Sequence, residues 1–228
     1  MKPSATSGST EPFRWPRFGP LCRAVRRLIF VLFPPIFRLL YRWRVIGQEH
    51  LRQLPAAISL CNHVHTLDCV MMACALHQKE LLFLSLPQNL HKPVAGWFVR
   101  LLGGVGVPQG AAEYRSFYRH LAPEFEAGRF LQIYPEGWLE PWCPKLREFH
   151  PGAFQMAVRF GVPVLPCVLR RRPHAWGRRG LELHILPPLY ADPALGKHHA
   201  ALDLQARAQA AMENALRPSQ AGTAEAHP

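Results

Sequence analysis

The segment Asn62–Asp68 carries two residues that could act together on a proton, His63 and Asp68. An apolar run that predicts a buried strand, Ala56–Cys61, ends directly before it, and the pattern after it predicts a helix. On one continuous helix, residues five apart lie on different faces, whereas a corner between strand and helix lets the imidazole fold back toward the carboxylate. We also expect the Thr66 hydroxyl to cap that helix.

Such a pair suits general base catalysis. The carboxylate holds one imidazole nitrogen protonated, so the other nitrogen accepts a proton from a hydroxyl, which then attacks a thioester carbonyl directly. Two alternatives stay open at this point. His63, His65 and Asp68 could instead bind a metal ion, although no second cluster at ligand spacing completes a coordination shell. His63 and Asp68 could also simply satisfy hydrogen bonds at the start of a helix.

Short apolar runs alternate with helix-like stretches along the chain. Strands are predicted at Ala56–Cys61, Leu81–Leu86, Val105–Val107, Phe130–Tyr134, Val164–Leu169 and Leu181–Leu186. Helices are predicted at Leu67–Leu76, Pro93–Leu102, Tyr114–Ala127, Ala153–Phe160 and Ala200–Leu216. This alternation predicts an α/β fold with a mostly parallel central sheet flanked by helices.

A second motif, Tyr-Pro-Glu-Gly-Trp-Leu, stands at Tyr134–Leu139, and a proline-containing apolar strand is predicted at Val162–Pro166. Together with His63 and Asp68, these motifs resemble the glycerolipid acyltransferase family that makes phosphatidic acid from lysophosphatidic acid. The family's first signature is a histidine, four intervening residues and an aspartate. Its third is an aromatic residue followed by Pro-Glu-Gly, and its fourth is a proline-containing apolar strand. The three motifs occur here in the family's order.

The resemblance, which covers residues 45–190, implies an O-acyltransferase of phospholipid biosynthesis. Such an enzyme moves a fatty acyl group from acyl-ACP or acyl-CoA to the free hydroxyl of 1-acylglycerol-3-phosphate. The resemblance makes His63 the general base and Asp68 its partner, and it implies that Glu136 and Gly137 bind the acceptor and shape the site. It implies no metal and no other cofactor.

Two departures from the family concern the acceptor's phosphate. The second signature usually ends in an arginine where this chain has Gln109, and Leu139 replaces the arginine of the third signature. A buried phosphate needs guanidinium or ammonium partners. Lys145 and Arg147 are the candidates, the alternative being that both are solvated loop charges. The departures also motivate a different acceptor, either another lyso-lipid or an amino-acid lipid.

Positive charge is concentrated at the N-terminal end of the chain. Residues 1–52 hold ten basic residues and two acids, which gives +8 of the formal net charge of +12. The mostly apolar run Leu28–Tyr41 is interrupted by Pro34 and Pro35 and is shorter than the about 20 residues of a spanning helix. We expect residues 21–45 to form a helical segment that lies at the surface of an anionic membrane. The alternative is a buried core helix or hairpin.

The composition of the sequence predicts how the rest of the chain divides into a domain and disordered ends. Residues 1–20 and 217–228 are predicted to be disordered, and residues 46–216 form the predicted acyltransferase domain. The six cysteines show no metal-ligand spacing and are interpreted as buried thiols, which favours a reducing compartment and thus the cytoplasmic face of a membrane. A second basic cluster, Arg170–Arg172 with Arg178 and Arg179, is predicted to lie in a loop.

A function of a different class also fits the charge, namely a non-catalytic basic protein that binds anionic lipid. Nucleic acid is not an expected partner, because no recognised binding motif occurs and the basic N-terminal residues are interleaved with an apolar run. The expected partners are an acyl-ACP or acyl-CoA donor, a lysophospholipid acceptor and an anionic membrane surface.

Overall fold

The structure is a computed structural model, and it describes residues 15–16, 19–93, 95–173 and 179–217. Most of the two predicted disordered segments, residues 1–20 and 217–228, therefore lies outside the described residues. Trp15 is an exception within the first segment. Its indole Nε1 donates a hydrogen bond to Glu124 at 2.8 Å, and its ring stacks on His120 with the ring centroids 5.6 Å apart.

Strands and helices alternate as the sequence predicted. The strands are β1 (Arg44–Ile46), β2 (Ala57–Cys61), β3 (Leu81–Ser85), β4 (Gly104–Gly106), β5 (Phe130–Ile133), β6 (Val164–Pro173) and β7 (Arg179–Ile185). The helices are α1 (Pro20–Tyr41), α2 (Asp68–Ala75), α3 (Pro87–Leu90), α4 (Ala95–Leu101), α5 (Ala111–Glu126), α6 (Gly152–Phe160) and α7 (Lys197–Leu216), with a 3-10 helix at Gln48–Leu51.

The strands form one sheet in the order β1-β7-β6-β2-β5-β3-β4. β6 and β7 are antiparallel, and the other neighbouring pairs are parallel. The expected α/β fold with a mostly parallel sheet and flanking helices is confirmed. In the register of β2 and β5, Leu60 pairs with Ile133, so both strands end at the same edge of the sheet. The two predicted motifs follow these two strand ends and therefore meet there.

Alternating side chains of the strands divide the core into two layers. On one face of the sheet, Ala57, Cys61 and Phe83 belong to a buried cluster with side chains of α1 and α2. On the other face, Ile58 and Leu60 belong to a buried cluster with side chains of α5, α6 and α7. Central strands that are buried on both faces explain why the sequence shows nearly continuous apolar runs rather than alternation.

α1 is one continuous helix, although Pro34 and Pro35 lie inside it. Because proline has no N–H, the helix lacks two of its backbone hydrogen bonds there. One side is buried through Ile29 and Phe37, so a hairpin is the wrong alternative for this segment. Another side exposes an apolar stripe, made of Leu28, Val31, Leu32, Ile36, Leu39 and Leu40. In the described part of the chain, no helix combines the length and the apolar character needed to cross a bilayer.

Two local predictions were wrong. Thr66 does not cap α2, because the helix begins at Asp68 and its N-cap position, Leu67, makes no side-chain capping bond. The arginines of Arg170–Arg172 do not lie in a loop, because β6 continues through them to Pro173 and pairs with β7. Arg178 lies outside the described residues.

Candidate active site

The residues Asn62–Asp68 form a turn between β2 and α2, which we call the catalytic corner. His63 follows the end of β2, and Asp68 is the first residue of α2. His63 Nδ1 lies 2.7 Å from Asp68 Oδ2, so the structure brings the two predicted residues into hydrogen-bonding contact. The His63 side chain is 25% exposed, whereas that of Asp68 is 1% exposed. A buried carboxylate thus orients an imidazole that reaches solvent.

Tyr134 fixes the plane of the His63 ring. The two rings stack with their centroids 4.1 Å apart and their planes 19° from parallel. Among the described residues, neither Tyr134 Oη nor Asp68 Oδ1 makes a hydrogen bond of good geometry, although both atoms are buried and Asp68 lies near enough to act on the phenol. Burial, together with the charge of Asp68, raises the pKa of Tyr134 well above its usual value. The phenol therefore stays protonated at neutral pH, and its contact with His63 is one of ring packing.

Asn62 ties the catalytic corner to the neighbouring strand. Its side-chain amide donates to the Leu169 carbonyl at 2.9 Å and accepts from the Leu169 N–H at 2.8 Å. The side chain is buried, and these two bonds give both of its polar atoms a partner on β6. Sequence analysis quoted Asn62 only as part of a motif and assigned it no role. A polar residue directly after a buried strand was the available signal.

Glu136 joins the catalytic corner to the loop that follows β5. One carboxylate oxygen accepts from the His63 backbone N–H at 3.1 Å, and the other accepts from Arg147 Nε at 2.8 Å. The residue is 1% exposed and does not line the cavity described below. Both oxygens are thus engaged by protein donors, and the geometry gives Glu136 and Arg147 a positioning role. The contact of Glu136 with an acceptor stays a prediction.

The loop after Gly137 runs back along the catalytic corner. Glu140 N–H donates to the His63 carbonyl at 2.9 Å, and Trp142 N–H donates to the Val64 carbonyl at 3.1 Å. The Trp142 ring also packs edge-on against His65, with 5.2 Å between the ring centroids. The backbone on both sides of His63 is therefore held by hydrogen bonds to this loop.

Gly137 occupies a position that a larger residue would not fit. Its φ is +85°, a conformation that side-chain-bearing residues rarely adopt, and a Cβ built there would lie 2.9 Å from His150 Nε2. Gly137 and His150 both line the cavity at the catalytic corner. Glycine thus allows the imidazole of His150 to approach the backbone beside the site. Sequence analysis did not identify His150, which lies in no recognised motif.

A cavity of about 1000 Å³ opens beside His63. Its walls are largely apolar and include Phe83, Val99, Leu102, Phe117, Ile133 and Met156. Among the described residues that line it, the basic side chains other than His63 are Lys92 and His150. Lys145 and Arg147 do not line it, and Leu139, which stands where the family has arginine, does. The cavity suits a hydrocarbon chain and offers little positive charge.

The cavity holds no activated thiol. Cys69 lines it, but burial, with a smaller contribution from the charge of Asp68, raises the pKa of that thiol to about 12. Cys69 therefore stays protonated at neutral pH and is a poor nucleophile. Within the described ranges, no group of three His, Cys, Asp or Glu residues is arranged to hold a metal ion. His63 lines the cavity with the buried carboxylate of Asp68 behind its imidazole.

The chain is similar to known proteins in sequence and in fold. A profile described as Acyltransferase matches residues 42–170. The chain is 30% identical over 113 residues to the lyso-ornithine lipid O-acyltransferase of Pseudomonas aeruginosa, a match that covers 50% of this chain and 42% of that protein. The chain also has the fold of the 1-acyl-sn-glycerophosphate (LPA) acyltransferase, PlsC, from Thermotoga maritima, as seen in its crystal structure. The TM-score is 0.62 and the sequence identity is 19%, and the match covers 85% of this chain and 81% of that one.

Proposed function

The chain belongs to the acyltransferase family, and on that premise we propose that it transfers a fatty acyl group from a thioester donor to the free hydroxyl of a lyso-lipid, with His63 as general base. The observation that carries the proposal is the 2.7 Å contact between His63 and Asp68 at the mouth of a large apolar cavity. A histidine that only satisfied hydrogen bonds at the start of a helix would not need to line a cavity of that size.

The chemistry follows from the orientation of the imidazole. Because Nδ1–H donates to Asp68, Nε2 carries the lone pair and takes the proton of the acceptor hydroxyl. The hydroxyl oxygen then bonds to the thioester carbonyl carbon, the carbon–sulfur bond breaks, and the departing thiolate takes the proton from the imidazolium. Asp68 stabilises that imidazolium while it exists. The donor is acyl-ACP or acyl-CoA, since both present such a thioester.

The head group that we propose for the acceptor is not a phosphomonoester. A phosphate dianion needs several strong cationic donors, whereas the cavity offers Lys92 and His150. Arg147, a predicted phosphate ligand, is engaged by Glu136 instead. An amino-acid head group carries one carboxylate and one ammonium, so a single cation suffices for its negative charge. The Pseudomonas aeruginosa relative is a lyso-ornithine lipid O-acyltransferase, and ornithine is an amino acid.

The second candidate acceptor is 1-acylglycerol-3-phosphate, which the order of the motifs in the sequence favours. In that case Lys92 and His150 would have to supply the contacts that arginine provides at the family's positions. Lys145 and Arg147 could join them only if the loop after Gly137 moved and the Arg147–Glu136 pair opened.

We also propose that the enzyme works at the cytoplasmic face of a membrane. The apolar stripe of α1 is exposed, with Leu39 82% and Leu40 65% accessible, and basic residues flank it. A helix of this kind lies in the interface of a bilayer, where lyso-lipids are found.

The test is an acyl-transfer assay with purified full-length protein, labelled acyl donor and a panel of lyso-lipids in detergent. His63→Ala should lower kcat/KM by about 10³-fold and Asp68→Asn by about 10²-fold or more, because both remove general base assistance. His198→Ala, an exposed histidine of α7, is the matched control and should leave the rate unchanged. Activity that survives in both site variants would contradict the mechanism.

The same panel tests the head group separately. We expect higher kcat/KM with amino-acid lyso-lipids than with 1-acylglycerol-3-phosphate. The opposite order would overturn the head-group proposal while leaving the role of His63 intact.

A further inference from the structure

A recess of about 330 Å³ lies at the C-terminal end of α1 and shares no lining residue with the catalytic cavity. Its lining is Arg38, Arg42, Trp43, Arg44 and Arg172, and we call it the arginine recess. The arginines come from α1, the residue after it, β1 and the end of β6, so the fold gathers positions that are far apart in the sequence. Trp43, which is 6% exposed, is the apolar part of the lining.

One arginine of the recess, Arg172, pairs with an acid. Its Nε lies 3.4 Å from one carboxylate oxygen of Glu182, and Arg170 and His184 share the same carboxylate. Within the described residues, Arg38 and Arg44 form no ion pair, and both are exposed. Several guanidinium groups around one concave surface match the geometry of a phosphate group, which accepts paired N–H donors.

The arginine recess faces the same edge of the sheet as the catalytic corner. Arg44 at the start of β1 pairs with Glu182 of β7, which pairs with Arg170 in the second half of β6, so Arg44 lies level with that part of β6. β6 runs parallel to β2, whose end carries His63. Three strand spacings separate β1 from β2, which is about 14 Å. A bilayer that supplies acceptor to His63 would thus also approach the recess.

The apolar stripe of α1 reaches the arginine recess as well. Ile36, Leu39 and Leu40 lie within two residues of Arg38 on the helix, and all three are exposed. Apolar side chains beside arginines place the guanidinium groups at the depth of lipid head groups when the stripe enters the interface. This arrangement favours a lipid phosphate over the acidic surface of a carrier protein, which offers no hydrocarbon to the stripe.

We propose that the arginine recess binds the phosphate of an anionic phospholipid in the bilayer on which α1 lies. The inference rests on the membrane association within the proposed function and is independent of the head group of the acceptor. A bound lipid phosphate would hold the sheet edge, and with it the mouth of the catalytic cavity, against the membrane surface.

The experiment distinguishes binding of a lipid phosphate at the arginine recess from general electrostatic attraction between a basic protein and an anionic membrane. Full-length protein is mixed with phosphatidylcholine vesicles that contain a minor fraction of phosphatidylglycerol, and vesicle-bound protein is measured by flotation. Arg38→Lys with Arg44→Lys keeps the charge but loses the paired donors of guanidinium, so partitioning should fall at least about fivefold. Arg23→Lys with Arg27→Lys, on the same helix outside the recess, is the matched control and should stay within about twofold.

Equal partitioning of the two double variants would overturn the proposal, because only general charge would then be at work. Calorimetric titration with inorganic phosphate forms a second arm, and binding as tight as that to the vesicles would show a site for free phosphate rather than lipid. A rise in the donor KM of the recess variant in detergent, with unchanged flotation, would assign the recess to the acyl carrier and also contradict the proposal. Unchanged activity in detergent verifies that the variants are folded, and it reports on the proposed function separately.

Discussion

The catalytic corner and the arginine recess lie at the same edge of one sheet but hold charge in different ways. At the corner, Asp68 is buried and held by the His63 imidazole, and Glu136, also buried, is held by the His63 backbone and Arg147. At the recess, Arg38 and Arg44 are exposed and face a concave surface. The corner carries two buried carboxylates that protein groups hold in place, and the recess carries two exposed arginines that form no ion pair among the described residues.

This comparison indicates that the excess of basic residues serves membrane binding rather than binding of the acceptor. The cavity in which the acceptor would react has little positive charge, whereas the surface that would meet the bilayer has much. Buried and paired groups are costly to disturb, and exposed arginines contribute little to folding. Substitutions at the corner should therefore change both stability and rate, and those of Arg38 and Arg44 should change membrane binding alone.

The largest effect on stability is expected from Glu136→Gln. The change removes a buried charge from the pair with Arg147, so the free energy of unfolding should fall by about 3 kcal/mol. The rate of acyl transfer should fall at least about tenfold, because the hydrogen bond from the His63 backbone N–H to the carboxylate is weakened and the imidazole is less well positioned. Urea denaturation and the acyl-transfer assay measure the two effects. Glu126→Gln, on the exposed side of α5, is the matched control and should change neither.

The outcome also distinguishes the two roles considered for Glu136. Unchanged stability with a selective rise in the acceptor KM would favour the contact with the acceptor that the family resemblance implies. A loss of stability with kcat reduced for every acceptor would favour positioning.

A smaller effect is expected at Tyr134, where the ring and the hydroxyl can be tested separately. Tyr134→Phe keeps the stack on His63 and should retain kcat/KM within about threefold. Tyr134→Leu removes the stack, which is worth about 1 kcal/mol in such pairs, and should lower kcat/KM by about tenfold as the imidazole loses its orientation. A loss in Tyr134→Phe as large as in Tyr134→Leu would show that the phenol hydroxyl acts on Asp68 directly.

The catalytic corner could be predicted because its information is local. His63 and Asp68 lie within one short segment, and the buried strand before them is an apolar run with Ser59 as its one polar residue. The strand at Phe130–Ile133 is equally clear, and the parallel register of β2 and β5 brings the two motifs together. These predictions needed no knowledge of how distant elements pack.

The arginine recess could not be predicted, because it depends on the order of strands. Arg172 and Arg38 line the same recess because β7 and β1 lie next to β6 in the sheet. β1 has only three residues, which are too few to show a strand pattern in the sequence. The pairing of Arg147 with Glu136 was missed for a related reason. A charged residue in a loop was interpreted as a ligand or a solvated charge, and only the path of the loop shows that it contacts a buried carboxylate.

The smallest effect is expected at the arginine recess itself, where Arg38→Gln with Arg44→Gln should change the free energy of unfolding by less than about 0.5 kcal/mol. Arg172→Gln is an informative comparison. Because Arg172 contacts Glu182, this substitution should lower the free energy of unfolding by somewhat more.

Burial raises the pKa of Glu182, but hydrogen bonds from His184 and Arg170 outweigh burial and lower the pKa below its usual value. The stabilisation by Glu182 is thus present at neutral pH and is lost as the pH falls through that lowered pKa, so urea denaturation at pH 7 compares the variants with the carboxylate ionised. A loss above about 1 kcal/mol in the double variant would show that the recess arginines support the fold, and the contrast with the catalytic corner would then fail.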